Sequence, residues 1–208
     1  MNIRASLALA ALCLLVGCAG PPGAPGEGEG EGEGEGEGET PCTTIEGSVT
    51  IENILDVPAM DNVCVVTGNV TVASTTLTTF SFPALTSVGG SVSINNNDAL
   101  TTFSLPVLTS VGEDVFIDGN PALTTISLPA LANVGLNIVI FDNDALTTFS
   151  LPVLASVGGT LDIQSNNALT SISLPALASV GVHMAILGNN ALTTCTGVLI
   201  VNIGDCVQ

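Results

Sequence analysis

A repeat of 23 residues constrains this chain more than any other feature in it. Phe82-Pro83-Ala84-Leu85 returns as Leu105-Pro106-Val107-Leu108, Leu128-Pro129-Ala130-Leu131, Leu151-Pro152-Val153-Leu154 and Leu174-Pro175-Ala176-Leu177, each step being 23 residues. Val88-Gly89 returns as Val111-Gly112, Val134-Gly135, Val157-Gly158 and Val180-Gly181. An alternating apolar pair follows: Val92/Ile94, Val115/Ile117, Ile138/Ile140, Leu161/Ile163 and Met184/Ile186. Then come Asn97, Asn120, Asn143, Asn166 and Asn189, and after them Leu100, Leu123, Leu146, Leu169 and Leu192. Phe103, Ile126, Phe149, Ile172 and Cys195 stand three places on.

A fixed period in the twenties specifies a solenoid in which one coil per repeat stacks on its neighbours and every column becomes a ladder. Val92-Ser93-Ile94 has the two-residue period of a half-buried strand, two side chains in and one out. Stacking joins such strands into a parallel sheet with a spacing of about 4.8 Å. The glycine before each strand predicts unusual dihedrals or a close backbone approach. The Pro column and the Thr and Ser content argue against α-helix, so no helical stretch is expected in the repeat. The fold class is all-β, a parallel β-helix-like solenoid of 23-residue coils. The pattern fades toward the N-terminus. Gly47-Ser48-Val49-Thr50-Ile51 reads as a first strand, residues 53–62 as an irregular excursion, and the coil at Gly68–Leu77 is one residue short; Val198–Val201 reads as a last strand. The Asn column reads as a structural ladder, because side-chain amides at a sharp turn can both donate to and accept from adjacent coils.

The string Leu85-x-x-Val88-Gly89-x-x-Val92-x-Ile94-x-x-Asn97-x-x-Leu100 resembles a leucine-rich-repeat consensus. With its Val-Gly corner, Leu-Thr-Thr-Phe and Leu-Pro-x-Leu, it is most similar to the receptor L-domain family, the β-helical ligand-binding domains of receptor ectodomains and related surface proteins. The resemblance implies the solenoid fold over about residues 45–203 and a binding role. It carries no site motif, since the family's ligand contacts fall on variable surface positions. The chain departs from the family in its near-identical coils and in having no aromatic patch on its surface.

The N-terminus reads as an address. Arg4 precedes an apolar run, Ala5 to Val16, too short to span a bilayer and matching a secretory signal. Leu15-Val16-Gly17-Cys18 resembles the lipobox of bacterial lipoproteins, which implies cleavage before Cys18 and its acylation, with Ala19 directing the product to the outer membrane. Two or three acyl chains anchor stably. Residues 20–41 are Gly, Pro and Glu with little else, a composition that builds no core and predicts an extended tether. The domain order is therefore signal peptide 1–17, lipidated tether 18–41 and solenoid 42–208.

Cys42, Cys64, Cys195 and Cys206 remain, and three pairings are open in principle. Export implies disulfides, and proximity favours Cys42–Cys64 and Cys195–Cys206, one at each end of the solenoid. A zinc site with four thiolates would need cysteines converging from opposite ends.

The formal charge is -18, and Arg4 is the only Lys or Arg. The mature chain would have no grip on phosphate, which excludes nucleic acid, and no electrostatic hold on anionic lipid. There is no Trp or Tyr. His183, the single histidine, falls in an outward column with Ser91, Asp114, Asn137 and Thr160, and no Ser or Cys stands in a nucleophile-elbow context. Asp98, Asp142 and Asp144 could hold calcium, but they also serve solubility. Stacked Thr pairs, from Thr78-Thr79 to Thr193-Thr194, resemble the Thr faces of ice-binding solenoids, although those use Thr-x-Thr. These features together predict a non-enzymatic surface lipoprotein for binding or adhesion, without cofactor or metal. It would be held in the outer membrane through Cys18 and contact a protein or glycan. A structural envelope spacer is the alternative, and an ice-binding solenoid a minor one. An outward patch that breaks the ladder regularity favours binding; a uniform surface favours the spacer.

Overall fold

The computed structural model describes residues 42–197. These form an all-β parallel solenoid of 23-residue coils, and two seven-stranded sheets run along it. The longer-stranded one joins Val49–Ile51, Val70–Ala73, Val92–Asn95, Val115–Asp118, Ile138–Phe141, Leu161–Gln164 and Met184–Leu187 in sequence order, all parallel. Its register is that of the repeat: Val92 faces Val115, which faces Ile138. We call it the long sheet.

The sequence pattern predicts one sheet; the chain has more. The second seven-stranded sheet is built from Thr43–Ile45, Val63–Val66 and five two-residue strands such as Ser110–Val111 and Ser156–Val157. The Thr-Thr-Phe columns form two three-stranded sheets, one from Thr79–Ser81, Thr102–Ser104 and Thr125–Ser127, the other from Thr148–Ser150, Ser171–Ser173 and Thr194–Thr196. Segments of two or three residues carry too few alternations for a periodicity to register. Backbone bonding between coils creates them, as in Thr124 N–H donating to the Thr101 carbonyl at 2.9 Å.

The corners explain the repeat's signature. After the first strand, each coil leaves the long sheet through a left-handed residue: Ser74, Asn96, Gly119, Asp142, Ser165 and Gly188 all have φ between 50° and 69°. That conformation aims the next side chain, Asn in five coils, into the interior. Before the sheet, the Val-Gly glycines solve a different problem, close approach: a Cβ on Gly135 would strike the carbonyl oxygen of Gly112 and stand 2.8 Å from its carbonyl carbon. The interior holds Leu85, Ile94, Leu100, Phe103, Leu105 and Leu108, each no more than 2 % exposed, and most of their equivalents. Each buried side chain of this size adds about 1.5–3 kcal/mol.

Among the described residues no helix interrupts the repeats. The excursion at residues 53–62 is a 3-10 helix, Ile54–Met60, packed against Val49–Ile51. Asn53 and Asp56 cap it: Asn53 Oδ1 accepts from Leu55 N–H at 2.9 Å and Asp56 Oδ2 from Asn53 N–H at 3.0 Å. Its last residue, Met60, is fully buried.

Cys42 and Cys64 form a disulfide, with Cα atoms 5.5 Å apart. It ties the edge strand Thr43–Ile45 to Val63–Val66. Closing a loop of sequence separation 22 stabilises by about 3 kcal/mol in the chain-entropy account. Replacing both cysteines with serine is therefore expected to lower the denaturation midpoint and to remove hydrogen-exchange protection first from Thr43–Ile45. Cys195, in the strand Thr194–Thr196 opposite Ile172, is also disulfide-bonded. Cys206, Cys18, the strand expected at Val198–Val201 and the whole of residues 1–41 lie outside the described residues.

Candidate functional site

The inner columns are committed to holding the coils together. Asn97, Asn120, Asn143, Asn166 and Asn189 are at most 2 % exposed. Asn143 Nδ2 donates to the carbonyls of Ile117 and Phe141, each at 2.9 Å, and more weakly to Asn166 Oδ1 at 3.3 Å. Asn166 Oδ1 also accepts the backbone N–H of Asn143 at 3.1 Å. Asn120, Asn166 and Asn189 address the carbonyls of Ile94, Ile140 and Ile163 in the same way. Two facing carbonyls can only accept, which fixes the orientation of each amide. At the N-terminal end Thr75 takes the Asn place, and its N–H and hydroxyl both donate to Asn97 Oδ1, at 3.0 and 2.8 Å.

The Thr ladder is likewise engaged. Thr101, Thr124, Thr170 and Thr193 each donate the hydroxyl to the backbone carbonyl of the Thr one coil earlier, at 2.9 to 3.2 Å. These hydroxyls thus stitch coil to coil. Asp144 Oδ1 accepts from Asn167 Nδ2 at 2.7 Å. Among the described residues no three His, Cys, Asp or Glu side chains converge as a metal-holding group. His183 is exposed, with Nδ1 3.4 Å from the Thr160 hydroxyl.

The outer face of the long sheet differs from all of this. Alternate residues of its strands project outward, and the register sets them in rows. Coil by coil the rows read Ser91, Ser93, Asn95; then Asp114, Phe116, Asp118; then Asn137, Val139, Phe141; then Thr160, Asp162, Gln164; then His183, Ala185, Leu187. Phe116 lies between Ser93 and Val139, and Phe141 between Asp118 and Gln164. Two aromatic side chains therefore stand on the outer face of a chain expected to have no aromatic patch on its surface. Both are half-buried and stand outside the core. The repeat hides them because only its inward columns are invariant. The signal that exposes them is the outward column itself: Thr50, Thr71, Ser93, Phe116, Val139, Asp162, Ala185. Nearby, Leu136 at the sheet's corner is 47 % exposed, Val182 one 71 % and Leu187 44 %. The polar first coils thus give way to an apolar area framed by carboxylates.

The electrostatics of that frame are one-sided. Asp114 Oδ1 accepts from Asn137 N–H and Nδ2 at 2.9 and 2.8 Å, and Asp162 Oδ1 from Gln164 Nε2 at 2.6 Å. No Lys or Arg exists among the described residues to pair with either. Asp118 is held above the ordinary carboxyl value of 3.8, by burial first and by repulsion from Asp142 second. Its register partner Asn95 has a side-chain oxygen shut off from solvent and without a hydrogen-bond partner. A carboxyl whose folded value is raised opposes folding once ionised. The Asp118 contribution is absent below 3.8, and stability falls as pH climbs from there through the raised value. Asp118→Asn is expected to abolish that fall, so its urea midpoint should exceed wild type near about pH 7 and match it near about pH 3.

The model of the receptor L domain family matches residues 41–128. Over that part the solenoid is receptor-L-domain-like, and the match includes the strand bearing Asp114, Phe116 and Asp118. No curated protein matches the chain, and no solved structure does.

Proposed function

We propose that this chain is a non-enzymatic, surface-anchored binding lipoprotein that contacts a protein or glycan through the outer face of its long sheet. One observation carries the binding half. The outward columns depart from the repeat at the coils where the inward columns stay constant, and they place Phe116, Val139 and Phe141 in an acidic frame. A pure spacer needs no such break. Anchoring rests on Leu15-Val16-Gly17-Cys18, with residues 18–41 as the spacer between Cys18 and the solenoid.

Binding is tested with the full chain against a panel of envelope polysaccharides and surface proteins. A saturable partner supports the reading; silence from a folded chain favours the envelope spacer. Anchoring is tested by Cys18→Ala with labelled fatty acid. Loss of label and transfer from the membrane pellet to the soluble fraction is the expected result, and an unlabelled wild-type chain contradicts it.

A further inference from the structure

One strand of the long sheet, Val115–Asp118 with the residue before it, presents acid, aromatic and acid outward in alternation: Asp114, Phe116, Asp118. Alternate residues of a strand lie about 6.6 Å apart, so the two carboxylates bracket the ring over about 13 Å. The next strands extend the apolar centre through Val139 and Phe141 and close it with Asp162, the register partner of Val139. Leu187, beside Gln164, continues the apolar side. The acidic side chains of the grid, Asp114, Asp118 and Asp162, have no Lys or Arg among them, and the only Lys or Arg of the chain, Arg4, is far off in sequence. Such a surface cannot neutralise itself. An apolar partner alone would bury the rings at the cost of desolvating unpaired carboxylates. A neutral glycan would use neither the charges nor the apolar centre fully. A segment with cations flanking an apolar side chain satisfies both.

We infer that the face takes a basic segment of a partner protein in which an apolar side chain stands between Lys or Arg residues at alternate positions. This rests on the outer face being the binding surface. Charge complementarity steers such an encounter, and the apolar centre gives it specificity.

The test uses the full chain and two synthetic peptides in fluorescence anisotropy. One repeats Lys-Thr-Leu-Thr-Lys, and the other has Glu in place of Lys. The Lys peptide is expected to bind, weakening as salt rises, while the Glu peptide does not bind. Asp114→Asn/Asp118→Asn/Asp162→Asn and, separately, Phe116→Ser/Phe141→Asn are each expected to weaken it at least about ten-fold, a loss of about 1.4 kcal/mol. The control Glu46→Gln/Glu52→Gln/Asp61→Asn removes as many charges outside the grid and should change affinity little. Equal loss in the control, or binding that survives loss of both rings, would mean attraction to net charge alone and would overturn the inference. So would absence of binding by the Lys peptide. If the panel nonetheless yields a partner that Phe116→Ser/Phe141→Asn loses, the binding surface stands and only its basic partner falls. If neither binds, both fall.

Discussion

Replacing Asn143 with alanine is expected to destabilise the solenoid by about 3–5 kcal/mol. The effect follows from what the amide leaves behind. Its Nδ2 serves the carbonyls of Ile117 and Phe141, and its Oδ1 accepts from Asn120 Nδ2 at 3.1 Å. The bonds to the Ile117 carbonyl and from the Asn120 amide are buried, and Asn143 is itself 0 % exposed. Each orphaned polar group there costs about 1–3 kcal/mol. Asn143→Asp is expected to be at least as damaging, because a carboxylate would turn an acceptor toward two carbonyls. Asn190→Ala one column over, at an exposed site where the side chain donates to Asn167 Oδ1, should shift stability by no more than about 0.5 kcal/mol. Denaturant midpoints of the three variants check the ranking. A lesion in the middle of a stack of coils can also split one transition into two, since each coil is held by its neighbours.

Gly135→Ala is the second large effect, for a steric reason. The atoms that an added Cβ meets are backbone atoms of Gly112, and they cannot step aside. The coils are fixed at this corner by Gly135 N–H to the Val111 carbonyl and Gly158 N–H to the Val134 carbonyl, both at 2.9 Å. Accommodating the methyl means lengthening those bonds or tilting a coil, at an expected cost of more than about 3 kcal/mol. Gly159 gives the contrast. Its column already holds Glu113, Leu136 and Val182, and the first atom in the way belongs to the Asn137 side chain. Gly159→Ala should cost about 1 kcal/mol, roughly one rearranged hydrogen bond. Thermal midpoints of the pair separate close coil approach from a general need for glycine at the corner.

The fold was legible because each coil must present the same apolar set to the coils beside it. That demand fixes Val92/Ile94 and its equivalents, the Val-Gly corner, Leu100 and Phe103 at one period, and the period names the architecture. The short Ser-Val and Thr-Phe-Ser strands were not legible, since contacts between coils create them. The left-handed corners were hidden for a related reason: Ser74, Asn96, Asp142 and Ser165 adopt the conformation of Gly119 without sharing its residue type. Thr75 escaped notice as the end of the Asn ladder because a hydroxyl replaces an amide there. On the outer face the repeat misled. Phe116 and Phe141 occupy columns that the inward pattern leaves unconstrained, and the register sets them next to Val139 and Asp118.

Inward columns make the fold, and the outward face is the proposed contact surface. Phe116→Ser/Phe141→Asn tests that division most directly, because it restores the residues that the same columns carry at Ser93 and Asn95. Thermal midpoint and partner affinity are to be measured together on the full chain. The predicted result is a change in stability below about 1 kcal/mol per site, with saturable binding lost. Binding that persists unchanged on a folded variant would contradict the account.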